Sequence, residues 1–131
     1  MKSLLADVRA FHEALAPELV AHKPRLQSYD RAKARHDWLV EEATELLEAR
    51  TISAQADAYI DSIYFAIGGL VDLGIDPQPL WDIVQAANMA KVWSDGKVYR
   101  RPDGKVIKPT GWVDPGPLIE AEVARQIEVA E

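Results

Sequence analysis

Apolar residues recur at three- and four-residue intervals through most of the chain, the period of an amphipathic helix. Leu4, Leu5, Val8, Phe11, Ala14 and Leu15 follow it first, which predicts a helix over Ser3–Ala16. Pro17 interrupts that pattern, and Pro24 closes a weaker stretch after it. A second helix is expected from about Asp30 to Ala49, with Leu39, Ala43, Leu46 and Leu47 on one face. A third should start near Ser53, a residue suited to N-capping, and end near Leu73-Gly74. Asp76-Pro77 supplies an N-cap and a first-turn proline for a fourth, running through Trp81, Val84 and Ala87 to about Ala90.

The helical period then stops. Glycine and proline punctuate residues 93–116, and Lys97 to Lys108 reads as a short hairpin turning near Asp103-Gly104. An isolated hairpin is marginal, so it should pack on the helices or grip a ligand. Residues 117–130 read as a final polar helix. The fold class expected is all-α: an antiparallel bundle of about four core helices plus a C-terminal helix, with a short β-hairpin or extended tail. The 131 residues suffice for a single domain with a modest core. Helices this apolar need more partners than one short chain provides, which points to a homodimer or higher homo-oligomer.

Composition narrows the classes. Fifteen basic residues stand against 21 acidic ones, a net charge of −6, which argues against a nucleic-acid polymer as partner. No apolar run approaches the roughly 20 residues that span a bilayer, so no membrane partner is expected. Asp7 and Arg9 interrupt the apolar N-terminus, leaving no signal-peptide core. Cysteine is absent, which excludes disulfides and thiolate metal sites and fits a cytoplasmic location.

Candidate chemistry concentrates in two acidic clusters on adjacent predicted helices. The first is Glu41-Glu42-Ala43-Thr44-Glu45; the second is Asp57-Ala58-Tyr59-Ile60-Asp61, which leads into apolar Ile63-Tyr64-Phe65-Ala66-Ile67. Glu41 and Glu45 share a helix face, and Glu42 and Glu45 lie one turn apart; Asp57 and Asp61 repeat the four-residue spacing. Hard oxygen donors in this number suit Mg²⁺, with Mn²⁺ as substitute, rather than zinc or copper. The plainer reading of the first cluster is a solvated face opposite Leu39, Ala43, Leu46 and Leu47. The all-round apolar character after Asp61 signals burial, and a buried carboxylate needs compensation. A di-iron site is excluded on spacing, since no glutamate is followed by histidine three residues later, and His12, His22 and His36 are scattered.

At these residues the chain resembles the MazG-like, all-α nucleoside triphosphate pyrophosphohydrolases, including helical dUTPase-like members and the phosphoribosyl-ATP pyrophosphatases. That family carries EExxE on one helix and ExxD on the next. Glu41-Glu42-x-x-Glu45 matches the first segment, and Asp61 matches the aspartate of the second. Ala58 departs from the pattern where a glutamate is expected, and Asp57 beside it is the candidate substitute. The likeness extends through Leu73-Gly74-Ile75-Asp76-Pro77 and Asn88-Met89-Ala90-Lys91 into the tail from Asp95-Gly96-Lys97 to Gly111-Trp112.

The resemblance implies Mg²⁺-dependent cleavage of a nucleoside triphosphate, dUTP-like, to the monophosphate and pyrophosphate. Phosphoribosyl-ATP hydrolysis is the alternative enzyme, and a non-catalytic helical interaction module the alternative outside enzymology. Glu42, Glu45 and Asp61 are assigned the main metal; Glu41 holds a second ion or takes a proton from the attacking water; Asp57 completes the shell. Lys91 shares a stripe with Leu80, Val84 and Ala87, expected to face the core, so it either snorkels or reaches a phosphate together with Asn88. Residues 91–108 hold six basic side chains against Asp95 and Asp103, the charge of an anion-binding lid, with Lys97, Arg100 and Lys105 as candidate phosphate contacts. Trp38 and Trp81 are expected in the core, whereas Trp112 docks the tail or contacts a base.

Overall fold

The structure, a computed structural model, describes residues 2–131, with side chains from Ser3 onward; Met1 lies outside the described residues. It is predominantly helical: α1 (Lys2–Leu15), a 3₁₀ turn (Pro17–Leu19), α2 (Tyr29–Glu48), α3 (Ile52–Leu73), α4 (Pro77–Met89), β1 (Tyr99–Arg100), β2 (Val106–Ile107) and α5 (Gly116–Ala130). No helix among the described residues is long and apolar enough to cross a membrane. Two compact units emerge, one reaching to Ile75 and the other running from Asp76 to Val129.

In the first unit α2 and α3 are joined by Ala49–Thr51 and run antiparallel, as so short a connection requires. Ser28 caps α2, its side chain accepting from the Arg31 N–H. Thr51 caps α3, accepting from the Ala54 N–H at 3.1 Å. The expected cap at Ser53 is therefore corrected by two residues: Thr51 has the extended backbone a cap needs, and Ser53 already lies in the first turn. At the other end Gly74 adopts φ +68° and donates to the carbonyls of α3's last turn. A side chain there would also overlap the Lys23 carbonyl oxygen, so glycine is doubly required. The core is small, built from Val8, Val20, Ile67 and Val71 with Leu5 against them.

Three expectations about packing are corrected. The apolar face of α2 is not the one that meets α3: Ala43 is exposed and Leu47 is 80% exposed, whereas Arg35 and Glu42 are buried. The apolar stretch of α3 is only partly enclosed by this chain: Ile67 is buried and Phe65 half-buried, whereas Ile63, Tyr64 and Ala66 are exposed. Trp81 is 54% exposed rather than in the core. The first two follow from area: one layer of three helices covers one face of each, and the remaining apolar positions stay outside.

In the second unit Asp76 caps α4, accepting from the Gln78 N–H at 3.1 Å, and Pro77 follows in the first turn. Buried Gln126 of α5 clamps that corner, accepting from the Asp76 N–H at 2.9 Å and donating to its carbonyl at 3.0 Å. β1 and β2 form the expected hairpin, with Tyr99 opposite Ile107 and Arg100 opposite Val106.

Candidate functional site

The face of α2 turned toward α3 reads Arg31, Arg35, Trp38, Glu42, Glu45, a 4-3-4-3 spacing that keeps all five on one stripe. Against it α3 presents Asp72, Gly68, Phe65 and Asp61, again one helical turn apart. The groove is thus layered: a charged knot at one end, an aromatic pair in the middle, a carboxylate cluster at the other.

At the acidic end Glu42 is 8% exposed, and among the described residues its Oε2 is the buried side-chain oxygen or nitrogen without a hydrogen-bond partner. Burial pushes its carboxyl up to about 7, helped by the neighbouring Glu45 carboxylate and by the charges of Asp61 and Glu41. Glu41 and Glu45 are exposed and Asp61 half-buried, so water reaches the cluster from one side. Asp57 stands exposed and is not among the charges acting on Glu42. Its neighbour Ala58 is buried. Among the described residues no three acidic or histidine side chains are drawn together tightly enough to enclose a metal ion. Carboxylates without a counterion repel, and magnesium itself takes one or two carboxylates plus water and phosphate oxygens rather than a closed protein cage. A buried carboxylate oxygen without a partner, on whose group the charges of three further acids act, offers a hard divalent cation an oxygen donor in an anionic field.

In the middle, Trp38 and Phe65 stack at 5.6 Å between ring centroids. Both rings line a cavity of about 260 Å³ together with Phe11, His12 and Tyr64. At the far end Asp72, only 4% exposed, accepts from Arg31 Nε at 2.8 Å and from Arg35 Nε at 2.9 Å. Burial alone would raise its carboxyl; the hydrogen bonds and charges of the two arginines hold it below the ordinary range instead. Gly68 lets this form, because any side chain there would strike the Arg35 guanidinium. Arg31, Arg35 and Asp72 belong to no motif of the sequence, and His12 is only one of three scattered histidines. The available signal was Arg31 and Arg35 at four-residue spacing in register with Trp38 and Glu42.

The other expected site residues lie in the second unit. Asn88 Oδ1 accepts from Lys91 Nζ at 3.0 Å, and that ammonium lies 5.8 Å from the Trp112 ring centre. Lys91 thus neither enters a core nor stands free. Trp112 donates its indole N–H to the Ala87 carbonyl at 2.8 Å and is covered by Lys108 at 4.4 Å, so it docks the tail on α4. Arg100 donates to the Gly104 carbonyl at 2.9 Å, and Arg101 pairs with Asp103 at 2.8 Å. Both brace the hairpin turn, while the side chains of Lys97 and Lys105 are exposed.

Residues 8–88 match the profile of the phosphoribosyl-ATP pyrophosphohydrolase family, a span that covers well over half the chain and all of the layered groove. The chain belongs to that family. Its members are pyrophosphohydrolases, hydrolases acting on phosphoric anhydrides, and the chain is an enzyme of this class. No curated protein matches the chain. The family match ends at Asn88, so it includes the acidic cluster and α4 but not the hairpin.

Proposed function

We propose that this pyrophosphohydrolase cleaves a nucleoside triphosphate between its α- and β-phosphates, giving the monophosphate and pyrophosphate in a Mg²⁺-dependent reaction. The observation that carries the reading is the buried Glu42 oxygen left without a partner, with the charges of Glu45, Asp61 and Glu41 acting on its carboxyl. A carboxylate-rich surface repels phosphate, so this donor set suits a triphosphate only with cations bound. Glu42, Glu45 and Asp61 would hold the ion, Mg²⁺ or Mn²⁺, which neutralises charge on the phosphate oxygens when bound. Asp57, whose charge does not act on Glu42, would join the shell only from the solvent side. Exposed Glu41 takes the proton from water as its oxygen bonds to phosphorus and the anhydride P–O bond breaks; holding a second ion is its other role.

The substrate is a dUTP-like triphosphate or phosphoribosyl-ATP, and the family match favours the second. Asn88, Lys91, Lys97, Arg100, Lys105 and Trp112 are the candidate substrate contacts of the second unit. The uncovered apolar positions Leu47, Ile52, Ile60 and Ile63 support a homodimer, and the cysteine-free composition suits the cytoplasm.

Glu42→Gln and Glu45→Gln should each lower turnover at least about a hundredfold, the size of a few kcal/mol of lost charge stabilisation. Pyrophosphate release measured over a triphosphate panel, with and without magnesium, checks this, with circular dichroism to show the helices intact. Near-normal rates in both variants would remove the acidic cluster from the mechanism.

A further inference from the structure

Asn88 and Lys91 sit where α4 ends, and the last turn of a helix frays unless its free carbonyls find donors. The Lys91 N–H turns to the Asn88 carbonyl at 3.1 Å instead of reaching back to Ala87. The Ala87 carbonyl takes the Trp112 indole N–H at 2.8 Å, from 25 residues downstream. A residue far outside the helix thus closes its final turn. The aim of that indole is built into the tail. The Trp112 N–H returns to the Pro109 carbonyl at 3.1 Å, and Gly111 between them takes φ +83°, as a type II turn requires. Nothing lies within 4 Å of where a Gly111 side chain would start, so the backbone conformation alone demands glycine. Lys91, Lys108 and Trp112 all lie beyond the family match, which ends at Asn88.

The same ring gathers two ammonium groups, Lys108 at 4.4 Å and Lys91 at 5.8 Å from its centre. Among the described residues no carboxylate pairs with either lysine. Lys91 is held instead between the indole and Asn88 Oδ1, 3.0 Å from its nitrogen. Asn88 gives its oxygen to that contact, which leaves its NH₂ group as a second donor beside the ammonium. A lysine stem has many rotamers, and two fixed partners restrict them before any ligand arrives. Beside the ring a cavity of about 590 Å³ opens between Ala86 and Ala90 of α4, Val113 and Leu118. Residues 109–112 therefore form a strap seated on α4 at a few polar points rather than packed along its length.

We propose that Trp112 is a positioning residue: it closes the end of α4 and holds the Lys91 ammonium beside Asn88, so that a phosphate oxygen meets an ordered pair of donors. The proposal rests on the reading of Asn88 and Lys91 as phosphate contacts in α–β cleavage. Trp112 acts here through Lys91 and not on a base. Ordering a cationic side chain in advance removes part of the entropy that anion binding would otherwise cost. Loss of Trp112 therefore weakens phosphate binding and leaves the bond-breaking step alone.

Inorganic pyrophosphate is the probe, because it carries phosphate but no base. It is titrated into the full chain in EDTA, so that the acidic cluster holds no cation and repels it. The four tryptophan indole N–H peaks in the proton–nitrogen NMR spectrum report binding, and Trp112→Phe identifies the Trp112 peak by its loss. Pyrophosphate at millimolar concentration should bind the wild type and shift that peak. Trp112→Leu should weaken binding about tenfold, and Trp112→Phe, which keeps a ring face without the N–H, by less. In a Lys91→Gln background Trp112→Leu should change nothing further, since a residue that acts through another loses its effect with it. In turnover Trp112→Leu should raise KM about tenfold and keep kcat within about twofold, whereas a purely structural residue would lower kcat at unchanged KM. Gly111→Ala, strained at positive φ but clear of α4, should reproduce that split, and it carries the test if Trp112→Leu fails to fold. No binding of pyrophosphate by the wild type, equal or tighter binding by the variants, or additive losses in the double variant would overturn the positioning role. None of these results touches α–β cleavage, which the Glu42 and Glu45 variants decide.

Discussion

Glu42 is the residue on which the proposed chemistry turns, and its titration exposes it to measurement. Its carboxyl titrates at about 7 in the fold against an ordinary 4.5. The folded state therefore holds the proton more tightly than the unfolded chain. That contribution to stability is complete below the ordinary value and is lost as pH rises toward 7. In EDTA the thermal midpoint should fall as pH is raised from about 5 to about 7.5, and Glu42→Gln should flatten the fall. Magnesium should raise the midpoint most at the upper end, where the carboxylate is ionised and unpartnered. Differential scanning fluorimetry across that range checks the sign; a midpoint that climbs with pH in the cation-free wild type sinks the assignment. Sequence made Glu42 a candidate through EExxE spacing, but the spacing alone also allowed a solvated face. Only the approach of α3, with Asp61 one layer away, buries one oxygen and leaves it orphaned.

At the scale of elements, the helices were legible because their punctuation is local. Asp76-Pro77 opens α4, Gly74 closes α3 and Asp103-Gly104 turns the hairpin, each through a conformational preference of the residue itself. The face that a helix buries is a different matter. Hydrophobic pattern put Leu39, Ala43, Leu46 and Leu47 of α2 inward, yet the seam with α3 is Arg31, Arg35, Trp38 and Glu42. A polar residue becomes an interior residue when its partner arrives from another element, as Asp72 does for Arg35; no period along α2 encodes that arrival. The hairpin carries its own test. Its basic side chains are partly spent on bracing the turn, as Arg100 and Arg101 show, leaving Lys97 and Lys105 exposed for an anion. Replacing both lysines by alanine should raise the substrate KM severalfold and spare kcat, as expected for loss of attraction to a polyanion. An unchanged KM in steady-state assays would confine the hairpin to a structural part.

For the whole molecule, the balance of surface matters most. The enclosed core of the first unit is four residues and their neighbours, while Leu47 is 80% exposed and Ile52 89%. Apolar positions left bare on the two helices that carry the acidic cluster are the surface a second copy would cover. Light scattering on the purified chain should therefore return twice the 14.6 kDa chain mass or a higher multiple. A mass of one chain at micromolar concentration would remove the dimer from the account. The sequence by itself determined the helical class, the helix ends to within about two residues, the hairpin and the family, because periodicity, capping and motif spacing are written within a few neighbouring residues. The tertiary structure alone decided which acid is buried, which arginines share Asp72 and where the aromatic cavity lies. Those properties belong to pairs of side chains far apart in the chain, and desolvation and charge acquire their magnitude only once the helices have met.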